Sequence, residues 1–276
     1  MTLATTLLLM LALAASVSAW LWGPAWARHW RRQRVRRQAF PSQWREVLRL
    51  RMPYFQRLPA DLQLQLKKHT QVLLAEVPFI GCAGLTVSTE MRVLIAAQAA
   101  LLLLNRRDAS FRNLRQVLVY PTAFVIERAV ATGHGTLQEA RQVLAGESWQ
   151  QGQVILSWQD VLANAAAPQG GHNVVIHEFA HQLDQESGSA NGAPYLFGRP
   201  ARLAWARTLS AEYQALQQRL ANGEPGLINA YAATNPAEFF AVVSELFFGQ
   251  PQALATEHPA LFREFSACYG VNPLSW

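Results

Sequence analysis

Between Thr2 and Ala27 there is no Asp, Glu, Lys or Arg. Leu3 to Trp22 is long enough to cross a hydrocarbon core as a helix, and no charge opposes its transfer. Trp20, Trp22 and Trp26 cluster at the far end, where amphipathic rings settle among headgroups. No basic residue precedes the apolar run, which argues against a cleaved leader, whose positive charge normally comes first. Export after cleavage is the alternative, with the small residues 15–19 as its site. Acidic residues are scarce in the next stretch: residues 28–57 hold ten Arg and one Glu, whereas residues 58–276 hold 14 basic and 17 acidic groups. The net charge of +6 therefore belongs to a short arm, and the remainder is mildly acidic. Arg28, Arg31, Arg32, Arg34, Arg36 and Arg37 directly follow the apolar segment, which places the body on the cytoplasmic side of the inner membrane as a single-pass protein. The arm lacks a recognition motif, so phospholipid headgroups are its expected partner and direct nucleic-acid binding is not. Two cysteines, Cys82 and Cys268, exclude a disulfide framework and fit a reducing compartment. No internal repeat and no disordered composition is present. The organisation expected is a transmembrane anchor over 1–27, an Arg-rich juxtamembrane connection over 28–57 and a folded domain over 58–276.

Within that domain the patterns alternate between helix and strand. Leu62 to Val77 has helical apolar spacing and stops at Pro78. Gly81 to Gly84 reads as a turn. Thr89 is the expected cap of a helix from Glu90 to Leu104, apolar almost all round and therefore central to the core. Gln116 to Tyr120, Ala123 to Glu127 and Gln153 to Trp158 have strand composition. Thr136 with Glu139 matches a capping box. A loop at 167–171 leads into an apolar helix; Ala201 to Leu220 and a segment opened by Asn235-Pro236 are two more. The fold class is α+β, a small sheet with helices packed against it.

One of those helices contains His177-Glu178-Phe179-Ala180-His181. Residues i and i+4 share a helical face, so the two imidazoles can grip one metal ion. Glu178 then lies beside the metal and can take a proton from its water. Three ionisable groups inside an apolar helix are costly without a metal to satisfy them. A catalytic zinc normally keeps three protein ligands and one open position, so a third must exist. The arrangement with another histidine six residues on fails, because Ser187 stands there. Asp184, Glu186, Glu238 and Glu245 remain. Asp184 suits an outer partner or a helix end, and Glu186 falls in the following loop. Spacing leaves Glu238 evenly balanced between ligand and capping-box partner of Asn235. Glu245, two turns later, is the rival ligand or an acceptor for a histidine N–H. His172 reads as a loop residue that can face substrate. His29, His69, His134 and His258 lack ligand spacing and are expected at the surface. Cys82 is expected to be a small packed residue.

Gly171 to Asp184 resembles the active-site segment of the Mlc titration factor A (MtfA) family of bacterial zinc peptidases. Two further segments are similar to that family: Glu90 to Ala99 with its following Leu run, and Ala230-Tyr231-Ala232-Ala233 with Ala237-Glu238 and Ser244-Glu245. The likeness covers roughly residues 45–270. It implies a zincin-like metallopeptidase fold of gluzincin type, related in its active site to the anthrax lethal factor catalytic domain. It implies Zn2+ as cofactor, with His177, His181 and Glu238 as ligands. Glu178 is then the general base and Tyr231 the donor to the developing oxyanion. The substrate would be a peptide or protein lying along an edge strand, for which Val154 to Trp158 is the candidate. The family name also implies a second role, sequestration of a transcriptional repressor with weak peptidase activity. The apolar N-terminal segment departs from the best-known member of the family, which is a soluble cytosolic protein.

Overall fold

Leu3 to Arg37 forms one helix of 35 residues, α1, with Trp20, Trp22, Trp26 and Trp30 exposed along it. Its Met10–Arg37 stretch is long and apolar enough to cross a membrane by length and composition. The computed structural model describes residues 3–106, 110–122, 152–167 and 169–276. The chain divides into two compact units, Met1–Phe40 and Pro41–Trp276.

The larger unit starts earlier than the charge pattern suggests. Helices α2 (Ser42–Arg51) and α3 (Pro53–Arg57) bury Leu48, Met52 and Phe55, and α2 packs on the central helix α5 described below. Leu48 lies on α2, Met52 at the break between the two helices and Phe55 on α3. The expected connection over 28–57 therefore splits: residues 28–37 continue α1, and residues 41–57 belong to the folded body. Arginine density on the outer face hid the apolar residues on the inner one.

Helix α4 (Ala60–Glu76) ends where Pro78 forces Val77 into extended backbone, φ −109° and ψ 122°. His69 lies on the inward face of α4 with Leu62, Leu66 and Leu73 and is buried, contrary to its expected surface position. Helix α5 (Thr89–Leu101) is capped by Ser88 rather than Thr89, the Ser88 hydroxyl accepting the Met91 N–H at 3.2 Å. Val93 through Leu104 are all buried, and α5 touches α2 and α4, so this helix is central as its composition requires.

Three short parallel strands, β1 (Phe79–Gly81), β2 (Gln116–Tyr120) and β3 (Gln153–Ser157), form a sheet in the order β1-β2-β3, with Phe79 opposite Val117 and Val117 opposite Val154. Val117, Val119, Val154 and Leu156 point inward with the period of two that a strand imposes. β3 is an edge of this sheet among the described residues. It ends one residue before the expected limit, because the Ser157 hydroxyl caps a new helix, α6 (Trp158–Ala166), by accepting the Asp160 N–H. The strand expected at 123–127, the capping box at 136–139 and His134 lie outside the described residues.

Helices α7 (Val174–Asp184), α8 (Arg199–Ala221), α9 (Pro236–Gly249), α10 (Pro251–Glu257) and α11 (Pro259–Tyr269) complete the unit. Ala237 through Phe248 are buried on every side of α9. Around it Trp205, Phe240, Phe247, Phe248, Phe265 and Tyr269 form one aromatic cluster, with ring centroids such as Trp205–Phe265 at 5.1 Å. The molecule is thus mostly helical with a small parallel sheet. Helix α7 is held between α5, α9 and β3, which is where the candidate site forms.

Candidate metal centre

The start of α7 is fixed with unusual care. The Asn173 side-chain oxygen accepts the N–H groups of Val175 and Ile176, both at 3.0 Å. Its amide donates to Gln98 Oε1 of α5 at 2.8 Å, and the Val174 N–H donates to Asn164 Oδ1 of α6 at 2.9 Å. With two neighbouring helices setting its first turn, α7 brings His177 and His181 together on one face. Their Nε2 atoms lie 3.2 Å apart, and both residues are buried.

Helix α9 supplies the third group. The Asn235 side chain caps it, accepting the Glu238 N–H at 2.9 Å, and Pro236 occupies the first helical position. Half of the capping-box expectation thus holds. The Glu238 carboxylate points the other way, to His177 Nε2 at 3.0 Å and His181 Nε2 at 3.5 Å. Glu245, two turns later, meets the opposite side of His177: Nδ1–H donates to Glu245 Oε1 at 2.7 Å. Its other oxygen accepts from His172 Nδ1–H at 2.7 Å and from the Asn173 backbone N–H.

These contacts decide where one hydrogen lies. A carboxylate only accepts, so the bond to Glu245 puts hydrogen on His177 Nδ1, and Nε2 is directed at Glu238 and His181, where either a proton or a metal ion would satisfy it. His177 Nε2, His181 Nε2 and a Glu238 oxygen thus converge inside the protein as a set that could hold a metal ion. Burial lowers the His177 pKa, but the bonds to Glu238 and Glu245 outweigh it and hold it well above the usual value. Burial likewise opposes ionisation of Glu238, yet the two histidines hold it far below the ordinary carboxylate range. His181 is pushed down to about 4, chiefly by burial, which keeps it a neutral donor of a lone pair.

The dimensions fit a metal ion. His177, His181 and Glu238 each offer one ligand atom, all within 4.8 Å of one another. A tetrahedral ion with ligands at about 2.0–2.1 Å needs ligand atoms separated by roughly 3.3 Å. The three separations of 3.0, 3.2 and 3.5 Å bracket that value. Glu245 is not one of the three.

Glu178 is half-buried, and its charge acts on both His177 and Tyr231. Tyr231 stands in a short 3₁₀ turn (Ala230–Ala233) ahead of α9, its ring centroid 5.9 Å from that of His177. The Tyr213 hydroxyl of α8 donates to the Ala233 carbonyl at 2.8 Å and steadies this turn. Burial, with Glu238 and Glu178 nearby, drives the Tyr231 phenol well above its ordinary pKa, so it stays a donor.

Asp184 ends α7 away from the three ligand atoms, and its Oδ2 accepts the Gly192 N–H at 2.8 Å. Gly192 has φ +75°, and a Cβ there would sit 2.4 Å from the Pro236 carbonyl, so the loop after α7 packs tightly on the start of α9. Glu186 faces Arg106 at 3.7 Å and accepts the Arg112 N–H. His172 touches Glu245, and His258 is half-buried against Glu212 at 2.8 Å rather than on the surface. Gln98, Asn164 and Asn173 are supporting residues that sequence reasoning missed. Only Asn173 left a trace, an Asn directly before an apolar helix.

Comparison with known proteins agrees with this geometry. Residues 27–270 match the family model of glucose-regulated metallo-peptidase M90. The chain is 37% identical over 268 residues to the uncharacterized protein slr2042 of Synechocystis sp., covering 96% of this chain and 97% of that one. It is 34% identical over 239 residues to Mlc titration factor A of Serratia proteamaculans, covering 85% and 88%. Against Mlc titration factor A of Escherichia fergusonii it is 32% identical over 248 residues, covering 89% and 91%. With a family model matching residues 27–270, a buried His-His-Glu triangle and relatives aligned over 85–96% of the chain, this chain belongs to the M90 metallo-peptidase family.

Proposed function

We propose that this protein is a zinc-dependent peptidase of gluzincin type, with a zincin-like catalytic body anchored by α1 to the cytoplasmic face of the inner membrane. His177, His181 and Glu238 are the ligands. The observation that carries the reading is the meeting of two imidazole nitrogens and one carboxylate oxygen, at tetrahedral spacing, in a buried place. Two nitrogens and one oxygen suit zinc, which when bound acts as a Lewis acid and lowers the pKa of water toward about 7.

The remaining steps belong to the protein. Glu178, next to the first ligand and open to solvent on one side, accepts a proton from the attacking water and passes it to the leaving amine. Tyr231 donates its hydroxyl hydrogen bond to the carbonyl oxygen as negative charge gathers there. The substrate chain adds along β3, the edge strand whose end adjoins α6. Replacing Glu178 by Gln keeps the size and removes the base. Metal content is expected to stay at the wild-type level by elemental analysis, while cleavage of a chromogenic peptide drops by about 10²–10⁴. Undiminished turnover by the metal-loaded Glu178→Gln protein rules the mechanism out.

The relatives' name, Mlc titration factor A, favours a second reading in which the chain binds a transcriptional repressor and cleavage is secondary. Binding that survives both chelation and Glu178→Gln would support it.

A further inference from the structure

The two buried carboxylates of α9 face opposite nitrogens of one imidazole. Glu238 meets Nε2 of His177, and Glu245 meets Nδ1 at 2.7 Å. Glu245 is only 2% exposed, and both its oxygens are engaged. Turning the His177 ring over would break the Nδ1–H bond and carry Nε2 away from Glu238 and His181. Moving Glu245 aside would in turn break the bonds from His172 Nδ1–H and the Asn173 N–H. Asn173 cannot yield easily, because its side chain caps α7 and is tied to Gln98. His172 differs from the rest of this set, since its side chain is 67% exposed.

We propose that Glu245 is a positioning residue that locks the ring orientation and Nδ1–H tautomer of His177, and that His172 is the solvent-facing clamp on Glu245, so that the tightness of metal retention is set partly at the protein surface. The inference rests on the reading of His177, His181 and Glu238 as ligands. It adds two residues that do not touch the metal or the substrate. Partners of this kind typically change metal affinity by about 10–100-fold when removed.

The test uses the full-length protein in detergent and measures zinc affinity by competition with a chromogenic chelator, together with the melting temperature of the metal-free protein. Glu245→Gln is expected to weaken zinc binding about 10–100-fold. His172→Ala, at an exposed side chain, leaves the metal-free melting temperature unchanged and weakens zinc several-fold. His172→Asn, which restores an N–H donor, recovers most of that loss. If Glu245→Gln fails to fold, the two His172 variants still decide the matter. Wild-type zinc affinity in His172→Ala and in every folded Glu245 variant overturns the proposal, as does a lowered metal-free melting temperature with unchanged affinity. A wild-type protein that takes up no zinc overturns the ligand reading and this inference together, whereas tight wild-type binding with unaffected variants overturns this inference alone.

Discussion

Asp184 closes α7 with no exposed surface, and one of its oxygens takes the Gly192 N–H at 2.8 Å. Burial pushes its carboxyl up to about 6 from an ordinary 3.8, with hydrogen bonds from Gly192 and its neighbours opposing the rise. Between those two values the folded protein holds a proton that the unfolded chain has released, so stability falls as pH rises through the window. The loss amounts to roughly 3 kcal/mol and is complete above the folded value. Asp184→Asn removes the titration. Urea unfolding of both metal-free proteins at pH 4 and pH 7 is expected to show their stability gap moving by about that amount in favour of the variant; a constant gap refutes the assignment. At this scale the sequence was legible where chemistry is local. His177, Glu178 and His181 announce themselves by spacing along one helix. Glu238 and Glu245 were not separable, because seven residues put both on the same face of α9. Which nitrogen of His177 each one meets depends on how α9 crosses α7, and no local pattern records that.

Elements add a second layer, in which caps set the positions that chemistry then uses. Asn235 fixes the first turn of α9 and, through it, the height of Glu238 relative to the histidines. Asn235→Ala removes the acceptor for the Glu238 N–H and is expected to cost about 1 kcal/mol of stability. Because the displaced turn carries Glu238, metal affinity is expected to fall as well, while Asn235→Ser, which keeps a side-chain oxygen, retains both. Chemical unfolding and chelator competition on the same samples check this, and an unstable variant with wild-type affinity would uncouple cap from site. The helices that could be read beforehand, α5 and α9, are apolar nearly all round and leave no doubt of burial. The missed elements are short or disguised. β1 has three residues, and α10 and α11 begin at prolines that resemble breaks. α2 and α3 carry their core residues beneath four arginines. His69 was misplaced for the same reason, since one polar residue within an inward stripe looks external until the helix is set against α5.

At the scale of the whole molecule the open matter is where the catalytic body works. The family model begins at residue 27, where the apolar segment ends, whereas the alignment with the Synechocystis protein covers 96% of the chain and so includes most of that segment. The alignments with the titration factors cover 85% and 89% of it. The family model thus leaves the apolar segment before residue 27 outside the region it matches. Seven leucines between Leu3 and Leu21 each favour membrane insertion by about 0.3–0.6 kcal/mol, and one central charge would offset most of their sum at about 2.5–3.5 kcal/mol. There is none. On the proposed topology, the six arginines between Arg28 and Arg37 would hold that end of the helix on the cytoplasmic side. The full-length protein is accordingly expected to sediment with membranes, to resist alkaline carbonate and to be released by detergent. Its N-terminal peptide is expected to retain residues 1–27 by mass spectrometry, and a C-terminal tag should be protected from protease in intact spheroplasts. Raising the span's charge with Leu9→Arg and Leu13→Arg should shift the protein to the soluble fraction with its metal content intact. A soluble wild-type form that begins near Trp20 and lies outside the inner membrane would instead make the apolar segment a leader, and would move the zinc chemistry proposed for His177, His181 and Glu238 to an exported enzyme.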